Sequence, residues 1–247
     1  MKDNFSKQSQ LYAQFRPTYP KELFEFLFTL VHERRTAWDC GTGNGQVATE
    51  LVNYFEKVFA TDISENQIKN ATKKENIFYK IETAEQTSFS DNTFDLITVA
   101  QAIHWFDFAL FYNEVNRTVK RNGIIAAIGY SLPRIDTQTN EVIDNFYNNI
   151  LGEYWDKERK YIDEDYRTIP FPFNEIQSPT LFSNYDWSFE QLIGYLNTWS
   201  AVQHYIERNN ENPIEKITND LLECWNDGEM KQVTFPILLR VGMKKNV

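Results

Sequence analysis

The stretch Trp38-Asp39-Cys40-Gly41-Thr42-Gly43-Asn44-Gly45-Gln46 decides how this sequence folds. An apolar strand runs into an acid, three glycines alternate through a tight loop, and a helical pattern follows in which Val47, Ala48, Leu51, Val52 and Phe55 recur at helix spacing. Glycine tolerates positive φ and lets a ligand approach the main chain, so Gly41, Gly43 and Gly45 are candidate binding positions. The next strand, Lys57 to Thr61, ends at Asp62. That distance is close to the ~20 residues separating a glycine loop from the carboxylate that accepts hydrogen bonds from ribose hydroxyls in nucleoside-binding folds.

Outward from this unit, helix and strand keep alternating. Leu23, Phe24, Phe26, Leu27, Leu30 and Val31 mark one face of a preceding helix, and Thr36 to Cys40 is the first strand. Ser64-Glu65-Asn66-Gln67 has the pattern of a capping box and opens the helix after Asp62. Ile77 to Glu82 is a third strand, and Phe94 to Ala100 a fourth, apolar almost throughout, as a strand covered on both faces should be. Leu110 to Val119 reads as helix, and Asn122-Gly123 turns the chain into a fifth strand, Ile124 to Tyr130. Repeated β-α-β units predict a parallel, doubly wound α/β sheet.

After Pro133 the rhythm changes. Val142 to Trp155, Phe189 to Ile206 and Ile214 to Trp225 read as helices, residues 156–173 as a loop, and Thr180 to Trp187 as an edge strand. Val233 to Met243 is a final strand that Pro236 assigns to an edge or bulged position. The expected organisation is a single domain over 1–247. An N-terminal arm and helix (1–35) precede a donor-binding core (36–133), a cap and edge-strand region (134–230) and the last strand (231–247).

Composition narrows the function. With 247 residues, 42% hydrophobic and 24% charged, the chain can bury a substantial core. A formal net charge of −10 argues against a nucleic-acid partner, which needs clustered Lys and Arg. Two cysteines, Cys40 and Cys224, and three histidines fit no metal spacing, so no metal is expected; Cys40 reads as a small buried packer, and Asp91 and Asp95 as turn residues. No apolar stretch approaches the ~20 residues of a membrane span, and Met1 to Ser6 lacks a signal-peptide core, so the expected location is cytoplasmic, without a membrane partner.

The loop pattern also bears on the ligand. Dinucleotide folds use G-x-G-x-x-G and seat a pyrophosphate at the helix N-terminus, whereas this chain has G-x-G-x-G with Asp39 just before it. A carboxylate there repels phosphate but suits S-adenosylmethionine, which has no phosphate and carries a sulfonium and an ammonium. The competing ligand is a nicotinamide dinucleotide.

Together these residues resemble a class I S-adenosylmethionine-dependent methyltransferase over at least 36–130. Within that class the chain is similar to the trans-aconitate and cantharidin methyltransferase group. The resemblance rests on Tyr12-x-x-x-Arg16-Pro17-x-Tyr19-Pro20, Ala84-Glu85, Ala100-Gln101-Ala102-Ile103-His104-Trp105-Phe106 and Thr198-Trp199-Ser200-Ala201-Val202. It implies a Rossmann-like, mostly parallel sheet of seven strands with the last antiparallel, and a helical cap inserted late in the chain. It implies that Gly41, Gly43 and Gly45 face the donor's methionine part, that Asp39 helps hold its ammonium, that Asp62 takes the ribose and that Ile63 packs on the adenine. Ala84 and Glu85 would border the adenine edge, although Thr83 stands where many relatives carry Asp. Ala100 and Gln101 would line the sulfonium end, and Tyr12 and Arg16 would close over the donor.

His104 follows the fourth strand, where acceptor and methyl group should meet, and is the candidate catalytic residue. It can accept a proton from a hydroxyl or amine, bind an anionic acceptor, or only pack the strand end. The acceptor class implied by the resemblance is a small carboxylate giving a methyl ester, with Arg16, His104, Arg134 and Arg167 as candidate anion partners. Ser6, Lys7 and Glu22, and the run 156–160, read as solvated charge. The alternatives are O- or N-methylation with His104 as base, and a non-catalytic nucleoside-binding module.

Overall fold

The computed structural model describes residues 15–226 and 228–245. Its first half follows the expected alternation: α1 (Lys21–Leu30), β1 (Thr36–Cys40), α2 (Gln46–Leu51), β2 (Lys57–Asp62), α3 (Glu65–Asn70), β3 (Ile77–Ile81), β4 (Phe94–Ala100), α4 (Phe108–Thr118) and β5 (Val119–Tyr130). The second half carries α5 (Thr137–Asn145), α6 (Lys160–Asp163), β6 (Asn174–Ile176), β7 (Phe182–Trp187), α7 (Phe189–Asn197), α8 (Ser200–Asn209), α9 (Thr218–Cys224) and β8 (Lys231–Met243). None of the described helices is long and apolar enough to cross a membrane.

The strands form one sheet in the order β3-β2-β1-β4-β5-β8-β6, with β7 also paired to β8. β1 to β5 are mutually parallel, and β8 runs antiparallel to β5, β6 and β7. This is the Rossmann-like fold, with eight strands among the described residues where the sequence reading expected seven. The extra strand is the three-residue β6, too short to leave a periodic signal. The strand order reverses between β1 and β4, so a crevice opens beyond their carboxyl ends.

Period-two alternation sorts the strand side chains onto two faces. Trp38, Ile97 and Ile125 join one buried cluster, packed under Phe111 and Val115 of α4. Their neighbours Ala37, Leu96 and Ile124 join the other, covered by Leu23 and Leu27 of α1 and by Val47 and Leu51 of α2. Trp38 is fully buried and its Nε1 donates to Thr61 Oγ1 at 2.9 Å, so its one polar atom is satisfied inside the core. A third, aromatic-rich cluster gathers Phe146, Tyr147, Trp187, Tyr195 and Trp199 with the first half of β8. This cluster is the cap.

Three expectations change here. Pro236 does not place β8 at an edge, because that strand lies between β5 on one side and β6 and β7 on the other. The Pro236 carbonyl still accepts from Ser131 N at 3.1 Å, and Ile237 N donates to Leu181 O at 2.9 Å, so the ladder continues around one missing donor. The helix expected over Phe189 to Ile206 is interrupted at Thr198 and Trp199, where Trp199 takes an extended conformation. The expected loop over 156–173 holds a 3₁₀ turn at Lys157–Arg159 and the short α6.

Candidate active site

The glycine loop is tied down from below by two carboxylates. Asp39, at the end of β1, is buried, and its oxygens accept from Thr42 Oγ1 at 2.5 Å, Ala48 N at 3.1 Å and Thr98 Oγ1 at 2.9 Å. Ala48 N–H belongs to the first turn of α2, which has no side-chain cap of its own. Asp39 therefore neutralises the helix start that a dinucleotide fold would offer to phosphate. Burial pushes its carboxyl up to about 6, against the opposing pull of these hydrogen bonds. Asp62, ending β2, accepts from Gly43 N and Ser64 N, each at 2.9 Å. Its two oxygens fix the middle of the loop to the start of α3.

The loop glycines differ in what surrounds them. At Gly45 (φ +85°) the left-handed backbone favours glycine, and a Cβ would lie 2.2 Å from Tyr79 Oη. At Gly43 (φ +55°) a Cβ would meet only Gln67 Oε1, at 4.0 Å. Gly43 thus leaves an open face of backbone towards the crevice.

A cleft runs along this face, lined by Arg16, Tyr19, Asp39, Gly41, Gly43, Gln46, Ala100, Gln101 and Tyr130. Gln101 carries a left-handed backbone (φ 50°), held by Gln101 N donating to Ile128 O at 2.8 Å and Nε2 donating to Tyr130 O at 3.0 Å. Strained backbone held by its surroundings at a strand end is a common feature of ligand sites. Arg16 reaches in from the N-terminal segment, donating to Tyr130 Oη at 3.1 Å and Thr198 O at 2.9 Å, with its guanidinium over the Tyr195 ring.

A second cavity shares the walls Arg16 and Gln101 with this cleft and continues to His104, Trp105, Trp155, Asp156, Arg159, Ile162 and Trp199. His104 is buried at 5% exposure, and its Nδ1 has no hydrogen-bond partner among the described residues. Burial first, and the Arg159 charge second, pull its pKa down to about 3, so the ring is neutral near pH 7.

The comparisons with known proteins bear on what this crevice does. The family model "Methyltransferase domain" matches residues 38–127, the segment from β1 into β5. A Dictyostelium discoideum protein named as a methyltransferase is 34% identical over 251 residues, covering 98% of this chain and 95% of that protein. A solved structure from Anaeromyxobacter dehalogenans, described as a type II methyltransferase, superposes with a TM-score of 0.86 at 37% identity, over 93% of this chain and 98% of that one. The chain belongs to the class I S-adenosylmethionine-dependent methyltransferases. A further methyltransferase structure, from Bacillus halodurans, shares the fold at 20% identity with a TM-score of 0.55, over 92% of this chain and 100% of that one.

The methyltransferase's cofactor, S-adenosylmethionine, suits the crevice chemically: a phosphate-free cation meets an open glycine backbone, two strand-end carboxylates and a helix start already capped by Asp39. Of the residues expected to bind it, Arg16, Asp39, Gly41, Gly43, Ala100 and Gln101 line one cleft. Asp62 adjoins that cleft through Gly43 N, and Ile63, half-buried, follows it. Ala84 is buried in the core cluster under α4, and Glu85 accepts from Asp107 N at 3.2 Å, at the start of α4. Tyr12 lies outside the described residues.

The expected anion partners are corrected. Arg134 pairs with Asp144 at 2.9 Å and Arg167 with Asp165 at 3.0 Å, both on the exterior. The run 156–160, expected as solvated charge, instead sends Asp156 and Arg159 to the cavity wall. Their three-residue spacing directly after Trp155 puts both on one side of a helical turn, which is the signal that could have exposed them. Tyr19, Gln46, Tyr130, Trp155 and Trp199 also line these spaces without having been assigned there from the sequence.

Two of the buried titratable groups, His104 and Asp39, act oppositely on stability. His104 has a folded pKa far below the usual 6.5, so as pH falls from about 6.5 towards 3 the unfolded chain takes up a proton that the folded one refuses. Stability is lost over that window. Asp39 is raised from 3.8 to about 6, so the folded chain holds the extra proton between those values and acidification adds stability. Urea unfolding of a His104→Gln variant should therefore lose stability less steeply than wild type between about pH 6 and pH 4. The slopes should differ by up to one proton, about 1.4 kcal/mol per pH unit. Parallel curves would mean that His104 is protonated in the folded protein.

Proposed function

We propose that the methyltransferase acts on a small organic acceptor seated in the tryptophan-lined cavity, and that the acceptor's reacting group is a carboxylate, giving a methyl ester. One observation carries this reading: the cavity shares Arg16 and Gln101 with the donor cleft and presents Arg159 beside a neutral His104. A pocket with three indoles in its wall favours a small organic molecule over a phosphodiester polymer.

S-adenosylmethionine, when bound, supplies an electrophilic methyl group on sulfur. The open backbone of Gly43 and the carboxylate of Asp62 are assigned to holding it, with Gln67 Oε1, buried and without a hydrogen-bond partner among the described residues, nearby. Gln101 and Arg16 stand at the junction with the second cavity, and Ala100 lies on the donor side of it. A carboxylate acceptor is already ionised near pH 7 and needs no base. The chain's contribution is then alignment and exclusion of water by Trp105, Trp155 and Trp199. His104 fits a hydrogen-bonding role, since its burial first and Arg159 second make protonating it unfavourable; the same fact weighs against O- or N-methylation with His104 as base.

A panel of small mono-, di- and tricarboxylic acids, phenols and amines incubated with donor labelled in the methyl group tests the proposal. Base-labile methyl esters are expected from the acids. Turnover of amines or phenols alone would replace the carboxylate reading.

A further inference from the structure

We propose that Arg159 is the residue that selects the acceptor by charge, and that Tyr147 and Asp163 hold it in position to do so. This deepens the proposed function and rests on its placement of the acceptor in the second cavity.

The argument starts from how the arginine is bound. Arg159 Nε donates to Tyr147 Oη at 2.8 Å, and Tyr147 Oη donates in turn to Asp163 Oδ1 at 2.6 Å. The guanidinium lies over the Trp155 ring, 4.8 Å from its centroid, and Trp155 Nε1 donates to Tyr147 O at 3.1 Å. Every one of these contacts engages Nε or the flat face. Among the described residues neither terminal nitrogen of Arg159 has a hydrogen-bond partner, although the side chain is only 19% exposed. A guanidinium fixed at one end and bare at the other is a fork ready for a planar bidentate anion.

The local backbone serves the same end. After α5 the chain widens into a π turn at Phe146–Ile150, which seats Tyr147 against Trp155 and Trp199 with ring centroids 4.6 and 5.8 Å away. Single π turns in helices concentrate at functional sites. Asp163 lies four residues after Arg159, so the arginine and the acid end of its clamp share one short helical segment, and Tyr147 reaches them from the π turn.

The wall also limits how much charge the cavity takes. Asp156 lines it too, with His204 Nδ1 3.9 Å away, while Arg16 belongs equally to the donor cleft. Among the described residues the wall sets Arg16 and Arg159 against Asp156, an excess of one positive charge, which suits a single carboxylate better than a dianionic phosphate. Crotonate, a small planar carboxylate, serves as probe, crotonamide as its uncharged isostere and methyl phosphate as the dianion.

Tryptophan fluorescence, titrated at constant ionic strength with S-adenosylhomocysteine present, reads binding because Trp155 and Trp199 line the cavity. Wild type should bind crotonate at least tenfold more tightly than crotonamide and more tightly than methyl phosphate. Arg159→Gln should erase the preference for crotonate, and Arg159→Lys should restore part of it. Tyr147→Phe, which keeps the ring and loses the clamp, should lower crotonate affinity several-fold and leave crotonamide unchanged, an effect that a purely structural role would not produce. A charge preference that is missing in wild type or that survives Arg159→Gln overturns the inference. Calorimetry with S-adenosylhomocysteine on the same samples separates the two levels: if wild type fails to bind it, the donor-cleft assignment falls, whereas normal binding with no charge preference removes only the role of Arg159.

Discussion

Gly43→Val should reduce S-adenosylhomocysteine affinity on the order of 100-fold or more while the protein remains folded. The side chain would have to project from a backbone at φ +55° into space where only Gln67 Oε1 comes within 4 Å. The new methyl groups would therefore occupy the crevice and leave the core untouched. The cost to folding is that of placing a β-branched residue in the left-handed region, on the order of 1–2 kcal/mol. Calorimetry with S-adenosylhomocysteine and thermal unfolding of the same variant check both halves. Gly45 supplies the contrast: its Cβ would sit 2.2 Å from Tyr79 Oη, so Gly45→Ala should damage stability before it damages binding. Wild-type affinity in Gly43→Val would mean that the donor does not approach this backbone.

Asp62→Ala has the second largest expected effect. The carboxylate fixes the Gly43 and Ser64 amides and is assigned to the ribose hydroxyls as well. Hydrogen bonds to a charged group contribute about 1.5–3 kcal/mol, so donor affinity should fall about 10- to 150-fold. Stability should fall too, because two half-buried amides lose their acceptor. Asp62→Asn keeps an acceptor oxygen and should recover part of the stability but little of the affinity, since its amide N–H₂ cannot accept from a second hydroxyl. Unchanged affinity in Asp62→Ala would place the ribose elsewhere.

The core of the fold was readable because its determinants are local. Phe94 to Val99 is buried and Ala100 half-buried, as the nearly continuous apolar run predicts, and the Ser64 side chain does accept from Gln67 N at 3.3 Å to start α3. Edges and irregular turns were less readable. Pro236 signals a missing donor correctly, but no local rule reveals that its carbonyl and the next amide still find partners. The break at Trp199 was hidden for a similar reason: helical periodicity continues on both sides, and the interruption follows from seating one large ring against Phe146, Tyr147 and Tyr195.

By itself the sequence determined the donor half of this protein. Strand, acid, glycine loop, helix and second acid lie within Thr36 to Asp62, so backbone preference, side-chain period and charge are enough to bring them together. The half proposed to take the acceptor was decided by tertiary structure. Its walls come from Arg16, from Gln101 to Trp105, from Trp155 to Ile162 and from Trp199, segments that no periodicity links. As sequence, Arg134, Arg159 and Arg167 are equivalent cations. Packing pairs the first and last with carboxylates at the surface and stacks Arg159 on Trp155, its terminal nitrogens without hydrogen-bond partners among the described residues, because a part-buried guanidinium is held by an aromatic face and a hydroxyl–carboxylate clamp.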